Sequence, residues 1–95
     1  MKRLLFFFLD GVGLGKADPI INPFAAATMP TLERLLGGKK LTLESVPLES
    51  KRATLLALDA TLGVAGLPQS ATGQATLLNG KNVPAVIGNH YADCH

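Results

Sequence analysis

The chain has one cysteine in 95 residues, Cys94, so no internal disulfide can form. That excludes a small disulfide-stapled secreted scaffold and suits a reducing compartment. Charge is also sparse, with 17% Asp, Glu, Lys and Arg and a formal net charge of +2. The basic residues come as separated pairs, Lys2-Arg3, Lys39-Lys40 and Lys51-Arg52, and build no stripe along which a phosphate backbone would lie. Nucleic acid is therefore not an expected partner. No segment approaches the ~20 apolar residues needed to cross a bilayer, so no membrane partner is expected either. The start, Met1-Lys2-Arg3 followed by the apolar run Leu4 to Leu9, imitates a signal peptide. Its six apolar residues end in Asp10, short of the roughly 7–15 of an h-region, and no Ala-x-Ala-type cleavage site follows. The expected location is cytoplasmic. Internal repeats and low-complexity tracts are absent as well.

Apolar residues are abundant, at 47% of the chain. That composition excludes disorder. It is rich for the length, because a domain this small buries only about 60–65% of the surface its unfolded chain exposes. The expectation is one partial domain over 1–95, with part of its apolar surface meant for chain that lies beyond His95.

Leu4 to Leu9 lacks alternation and stops at Asp10-Gly11, the pattern of a strand buried on both faces in a parallel sheet. From Gly11 to Pro30 the chain holds Gly11, Gly13, Gly15, Pro19, Pro23 and Pro30. Interior prolines remove backbone donors and clash with the preceding turn, so this is a long loop with one helical turn around Pro23 to Ala27. Leu32, Leu35 and Leu36 share a face of a short helix over Thr31 to Leu36, stopped by Gly37-Gly38. Leu41 to Val46 alternates imperfectly and reads as a strand, and Ala53 to Leu58 as a second buried one. After the glycine-rich Gly63 to Pro68, a turn at Gln69-Ser70 opens a helix that Asn79-Gly80 closes. Residues 83–95 show no clear periodicity. Strand, helix, strand and helix in this order predict an α/β fold with βαβ connections and a mainly parallel sheet.

Two residues carry candidate chemistry. Asp10 falls where the first expected strand ends, and open parallel sheets collect ligands outside the carboxyl ends of their strands. A carboxylate there is a hard oxygen ligand for a divalent cation, or it caps a turn. Gly11, Gly13 and Gly15 do not form a dinucleotide fingerprint. The third comes one residue early, and Pro19 and Pro23 fall where the phosphate-binding helix would run. Ser70 sits at a helix start, where free N–H groups and the dipole favour an anion. Its hydroxyl is either a cap or a nucleophile activated by a metal in place of a base. Thr72 is the fallback hydroxyl.

Together, Phe8-Leu-Asp10-Gly-Val-Gly13 and Ser70-Ala-Thr-Gly73-Gln74, with Asn22-Pro-Phe24 and Gly80-Lys-Asn82, resemble the alkaline phosphatase superfamily. The resemblance is to its metalloenzyme branch, with cofactor-independent phosphoglycerate mutase and phosphopentomutase. It implies an alkaline-phosphatase-like α/β/α sandwich of which this chain is the N-terminal portion. It also implies phosphoryl transfer (a phosphomutase, hence isomerase, or a phosphomonoester hydrolase) on a small phosphorylated substrate. By position, Asp10 would be a metal ligand and Ser70 both a metal ligand and the catalytic nucleophile. His90 would be a substrate-binding residue. Gln74 stands where the mutases usually have His, which points to a phosphatase-like or mutase-like member. The cofactors implied are two divalent metal ions (Mn, Zn or Mg), whose further Asp and His ligands come much later in the chain, so residues 1–95 alone are expected to be inactive.

The tail His90-Tyr-Ala-Asp93-Cys94-His95 holds four candidate ligands but lacks a recognised metal spacing. The rival to the enzyme reading is a non-catalytic or degenerate α/β fragment that only folds, or binds an anion at the Ser70 helix terminus.

Overall fold

The structure, a computed structural model, describes residues 2–92. Asp93, Cys94 and His95, and with them most of the candidate ligands of the tail, lie outside the described residues. The chain divides into two compact units, one of residues 12–58 and one joining 2–11 to 59–92. Helices and a small sheet are both present, so the fold is mixed α/β.

In the first unit, helix α1 (Pro23–Ala26) starts on Asn22, whose side chain accepts from the Phe24 amide at 3.0 Å and donates to the Lys16 carbonyl at 2.7 Å. Proline at the first helical position costs nothing, since its missing N–H would be unpaired there anyway. Helix α2 (Pro30–Leu35) begins the same way. The Glu33 carboxylate, four residues on, accepts from the Met29 amide at 2.8 Å and so satisfies the backbone donor of the cap residue. Its end is set by Gly37 and Gly38, both at positive φ, with the Gly38 amide returning to the Glu33 carbonyl at 2.7 Å. That wrap buries Leu36 and satisfies carbonyls left over at the helix end. Lys40 Nζ clips the two helices together, reaching Glu33 at 3.1 Å and the Ala27 carbonyl at 2.7 Å.

The expected strand over Leu41 to Val46 is instead a 3₁₀ turn at Leu43–Ser45. Thr42 and Ser45 are buried here, and the Ser45 hydroxyl donates to the Lys40 carbonyl. Such local side-chain bonds compete with strand pairing. Strands β1 (Leu48–Glu49) and β2 (Thr54–Leu55) pair antiparallel, with Leu48 opposite Leu55 and Glu49 opposite Thr54. The Ser50 hydroxyl accepts from the Arg52 and Ala53 amides and fixes the turn between them. This pair is the sheet present among the described residues, in place of the expected parallel one. Leu56 and Leu58, expected inside a buried strand, are exposed.

In the second unit, residues 2–9 form no helix or strand and are exposed, with Leu4 at 95% and Phe7 at 76% of full exposure. Among the described residues, Arg3 to Phe8 enter no hydrogen bond. The expected buried strand over Leu4 to Leu9 is therefore not formed, because a strand needs a neighbour and none pairs with it among the described residues. Helix α3 (Ser70–Asn79) follows, ended by Gly80 in the left-handed conformation at φ 73°. Helix α4 (Val83–Ile87) has Asn82 as its cap and Pro84 in its first turn, and it ends on Gly88. The sequence carried this cap-proline-glycine signal although no periodicity marked the helix. Polar groups tie the unit together. Thr76 Oγ1 donates to the Thr72 carbonyl at 2.8 Å and accepts from the Val83 amide at 3.2 Å, joining α3 to α4. Asn82 Nδ2 donates to the Leu62 carbonyl at 2.8 Å. Buried side chains here are Thr72 and Pro84, and among the described residues Leu36 is the one buried large apolar side chain of the chain. No helix among them is long and apolar enough to cross a membrane.

Candidate functional site

Asp10 and Ser70 belong to the same unit. Asp10 lies in an exposed turn directly after the apolar segment, and Gly11 takes φ 72° with open space where a Cβ would stand. The turn therefore selects glycine through backbone conformation alone. The Asp10 carboxylate accepts no hydrogen bond among the described residues, which leaves all its oxygen lone pairs open to solvent or a cation.

Ser70 is the first residue of α3 and is half-buried. Its Oγ accepts a hydrogen bond from Gln74 Nε2 at 2.8 Å, across one helical turn. An amide N–H can orient a hydroxyl but cannot take its proton. Ser70 thus has a positioning partner and, among the described residues, no general base.

Gln69 caps α3 through its backbone and offers no side-chain bond. Of the helix's first amides, Gly73 N–H returns to the Gln69 carbonyl at 3.0 Å, while Thr72 N–H is taken by the Tyr91 carbonyl at 3.2 Å. Thr72 is 3% exposed, and its Oγ1 accepts from the Tyr91 amide at 3.2 Å. The fallback hydroxyl is thus held inside a two-way clasp between helix start and tail. Ser70 and Ala71 keep the amides at this helix start that have no protein acceptor among the described residues.

His90 is half-buried, with Nε2 3.1 Å from the Val64 carbonyl, so the ring holds the tail against the glycine-rich loop before α3. Nε2 must carry the proton in that bond, which leaves Nδ1 for any ligand. Asn22 and Asn82, part of the resemblance, serve as helix caps. One carboxylate had no part in the expected site. Asp59 accepts from Thr61 Oγ1 at 2.6 Å, from the Thr61 amide at 2.9 Å and from the Gly63 amide at 3.1 Å. These bonds, led by the Thr61 hydroxyl, hold its carboxyl below the ordinary carboxylate value. The Asp59-Ala-Thr61 sequence was a legible turn signal.

Two divalent cations need several more hard ligands than one carboxylate and one hydroxyl. Among the described residues no three His, Cys, Asp or Glu side chains come together as a metal group. Asp10 and Ser70 therefore do not make up a two-metal centre by themselves. No family model, curated protein or solved structure matches the chain.

Proposed function

We propose that the chain forms the leading portion of a metal-dependent phosphoryl-transfer enzyme, with Ser70 as nucleophile and Asp10 as one cation ligand. The observation that carries this reading is the Ser70–Gln74 bond. Gln74 presents the Ser70 oxygen at a helix start beside free amides and cannot deprotonate it. A serine so placed must lose its proton by some route other than a side-chain base, and nucleophiles of this superfamily rely on a bound cation. The free amides of Ser70 and Ala71 suit the charge of a transferring phosphoryl group. On this reading the parallel α/β/α sandwich belongs to the longer enzyme, with residues 4–9 as a strand of it, and the enzyme works in the cytoplasm on a small phosphorylated substrate. His90, through Nδ1, would be a substrate-side group.

A second reading has two observations in its favour. The Ser70–Gln74 bond and the Thr72–Tyr91 clasp also suit a purely structural helix start, as in a non-catalytic fragment. The genomic reading frame separates the two. An in-frame continuation past His95 that supplies several Asp and His residues, one pair adjacent, supports the enzyme. In that enzyme, Ser70→Ala should abolish the phosphoenzyme and cost at least ~10²–10³-fold in rate, the scale of losing one transition-state group. Asp10→Asn should lower cation binding and activity together. Phosphate trapped on Thr72, or near-normal turnover in both variants, would remove the reading.

A further inference from the structure

We infer that residues 4–9 are a self-complementary pairing surface, and that two copies of this chain join through them as antiparallel strands in one register. Leu4 to Leu9 is six apolar residues in a row without proline, glycine or charge. The segment belongs to no helix or strand, its residues are 36–95% exposed, and the backbone of Arg3 to Phe8 has no partner among the described residues. An unpaired apolar strand offers ladder hydrogen bonds and side-chain contacts to any strand that fits it.

Charge selects the partner and the direction. The run is bounded by Lys2-Arg3 on one side and Asp10 on the other. In an antiparallel pair that sets Arg3 of one copy opposite Asp10 of the other, Leu4 meets Leu9, Leu5 meets Phe8 and Phe6 meets Phe7. The two-fold axis repeats every contact, so both ends are charge-matched at once and no apolar residue faces a charge. A slip by one residue still pairs Lys2 with Asp10 but sets Arg3 opposite Leu9. A parallel pair in register sets Arg3 against Arg3 and Asp10 against Asp10. The inference concerns residues 2–10 of this chain and does not rest on the phosphoryl-transfer reading.

The test is a charge swap, followed by sedimentation of the full chain at low salt with EDTA present to keep cations off Asp10. Arg3→Glu alone places Glu against Asp at both ends of the pair, and Asp10→Lys alone places Lys against Arg. Each variant by itself should associate about tenfold more weakly than the unmodified chain, since two exposed ion pairs are turned into repulsions. Mixed in equal amounts, the two variants match charges at both ends again, and association should return to the unmodified level. Recovery in the mixture cannot come from a general loss of folding in either variant. The inference is overturned if the unmodified chain stays monomeric at about 100 μM, well above the micromolar constants of ordinary interfaces. It is equally overturned if the single variants associate undiminished, or if mixing restores nothing.

Discussion

The Thr72–Tyr91 clasp makes the most direct prediction about this chain. Thr72→Val keeps the branched shape at a position 3% exposed, so packing is preserved and only the hydroxyl is removed. What disappears is chiefly the acceptor for the Tyr91 amide at 3.2 Å, because the remaining contacts of Oγ1, to the Gln69 and Tyr91 carbonyls, are 3.4 and 3.5 Å long. The Thr72 amide still donates to the Tyr91 carbonyl. Tyr91 is 48% exposed, so water can replace the lost acceptor and the full penalty of a buried unpaired donor does not apply. The net loss is then about 1 kcal/mol, the central value for one hydrogen bond, and it falls on local opening of the tail. That corresponds to roughly fivefold faster hydrogen exchange at the Tyr91 amide. The Val83 amide, bonded to Thr76 Oγ1 one turn along α3, is the internal control and should keep its rate. A change below twofold at Tyr91 would mean that the clasp is not holding the tail. Equal acceleration at Tyr91 and Val83 would mean that Thr72 supports the whole unit through packing, and the local argument would fail.

Asp59 gives a pH dependence with a defined sign. Its folded carboxyl is depressed below the ordinary 3.8, so the contribution of its turn to stability is present above that value and is lost as pH falls through the folded one. Amide shifts of Thr61 and Gly63 should move together in that acid window, and Asp59→Asn should remove the transition; shifts that persist in the variant would place the titration elsewhere. Gly80→Ala meets open space but must hold φ 73°, so the cost is conformational alone, about 1 kcal/mol. It should show as fraying of the last turn of α3 in carbon chemical shifts, and an unchanged C-terminus there would contradict the left-handed cap.

What the sequence made legible was what neighbouring residues decide among themselves. Pro30 and Gly37-Gly38 bound α2, Asn79-Gly80 ends α3, and Pro23 marks α1, each through a cap or a backbone restriction that acts within a few residues. Helix α4 has too few residues, five, to display a period, and its signals are instead Asn82, Pro84 and Gly88. The alternation of Leu41 to Val46 does not lead to strand pairing, because Thr42 and Ser45 turn inward to make local hydrogen bonds. Hydrophobicity marks Leu4 to Leu9 and Ala53 to Leu58 as strands, but it reports what a segment needs to bury and not whether a neighbour supplies the cover: Thr54–Leu55 pairs with β1, while Leu4 to Leu9 has no neighbour among the described residues.

The same division runs through the candidate site. Ser70 is fixed by its own helix and by Gln74 one turn away, so its position follows from local sequence and is already set. Asp10 takes its position from residues 4–9, and that segment has no partner among the described residues. A carboxylate at the end of an unpaired segment is not held in place, and a cation ligand gains its affinity from being held before the ion arrives. Whatever pairs with residues 4–9 therefore decides whether Asp10 can act as a ligand. A neighbouring strand of a longer enzyme would fix the carboxylate at the end of a sheet, with its oxygens free. The antiparallel pair of two copies would instead turn it toward Arg3 of the other chain and occupy it with an ion pair. The two states compete for one carboxylate, so a cation that binds Asp10 must weaken the self-pairing, and the pairing must weaken the cation by the same factor.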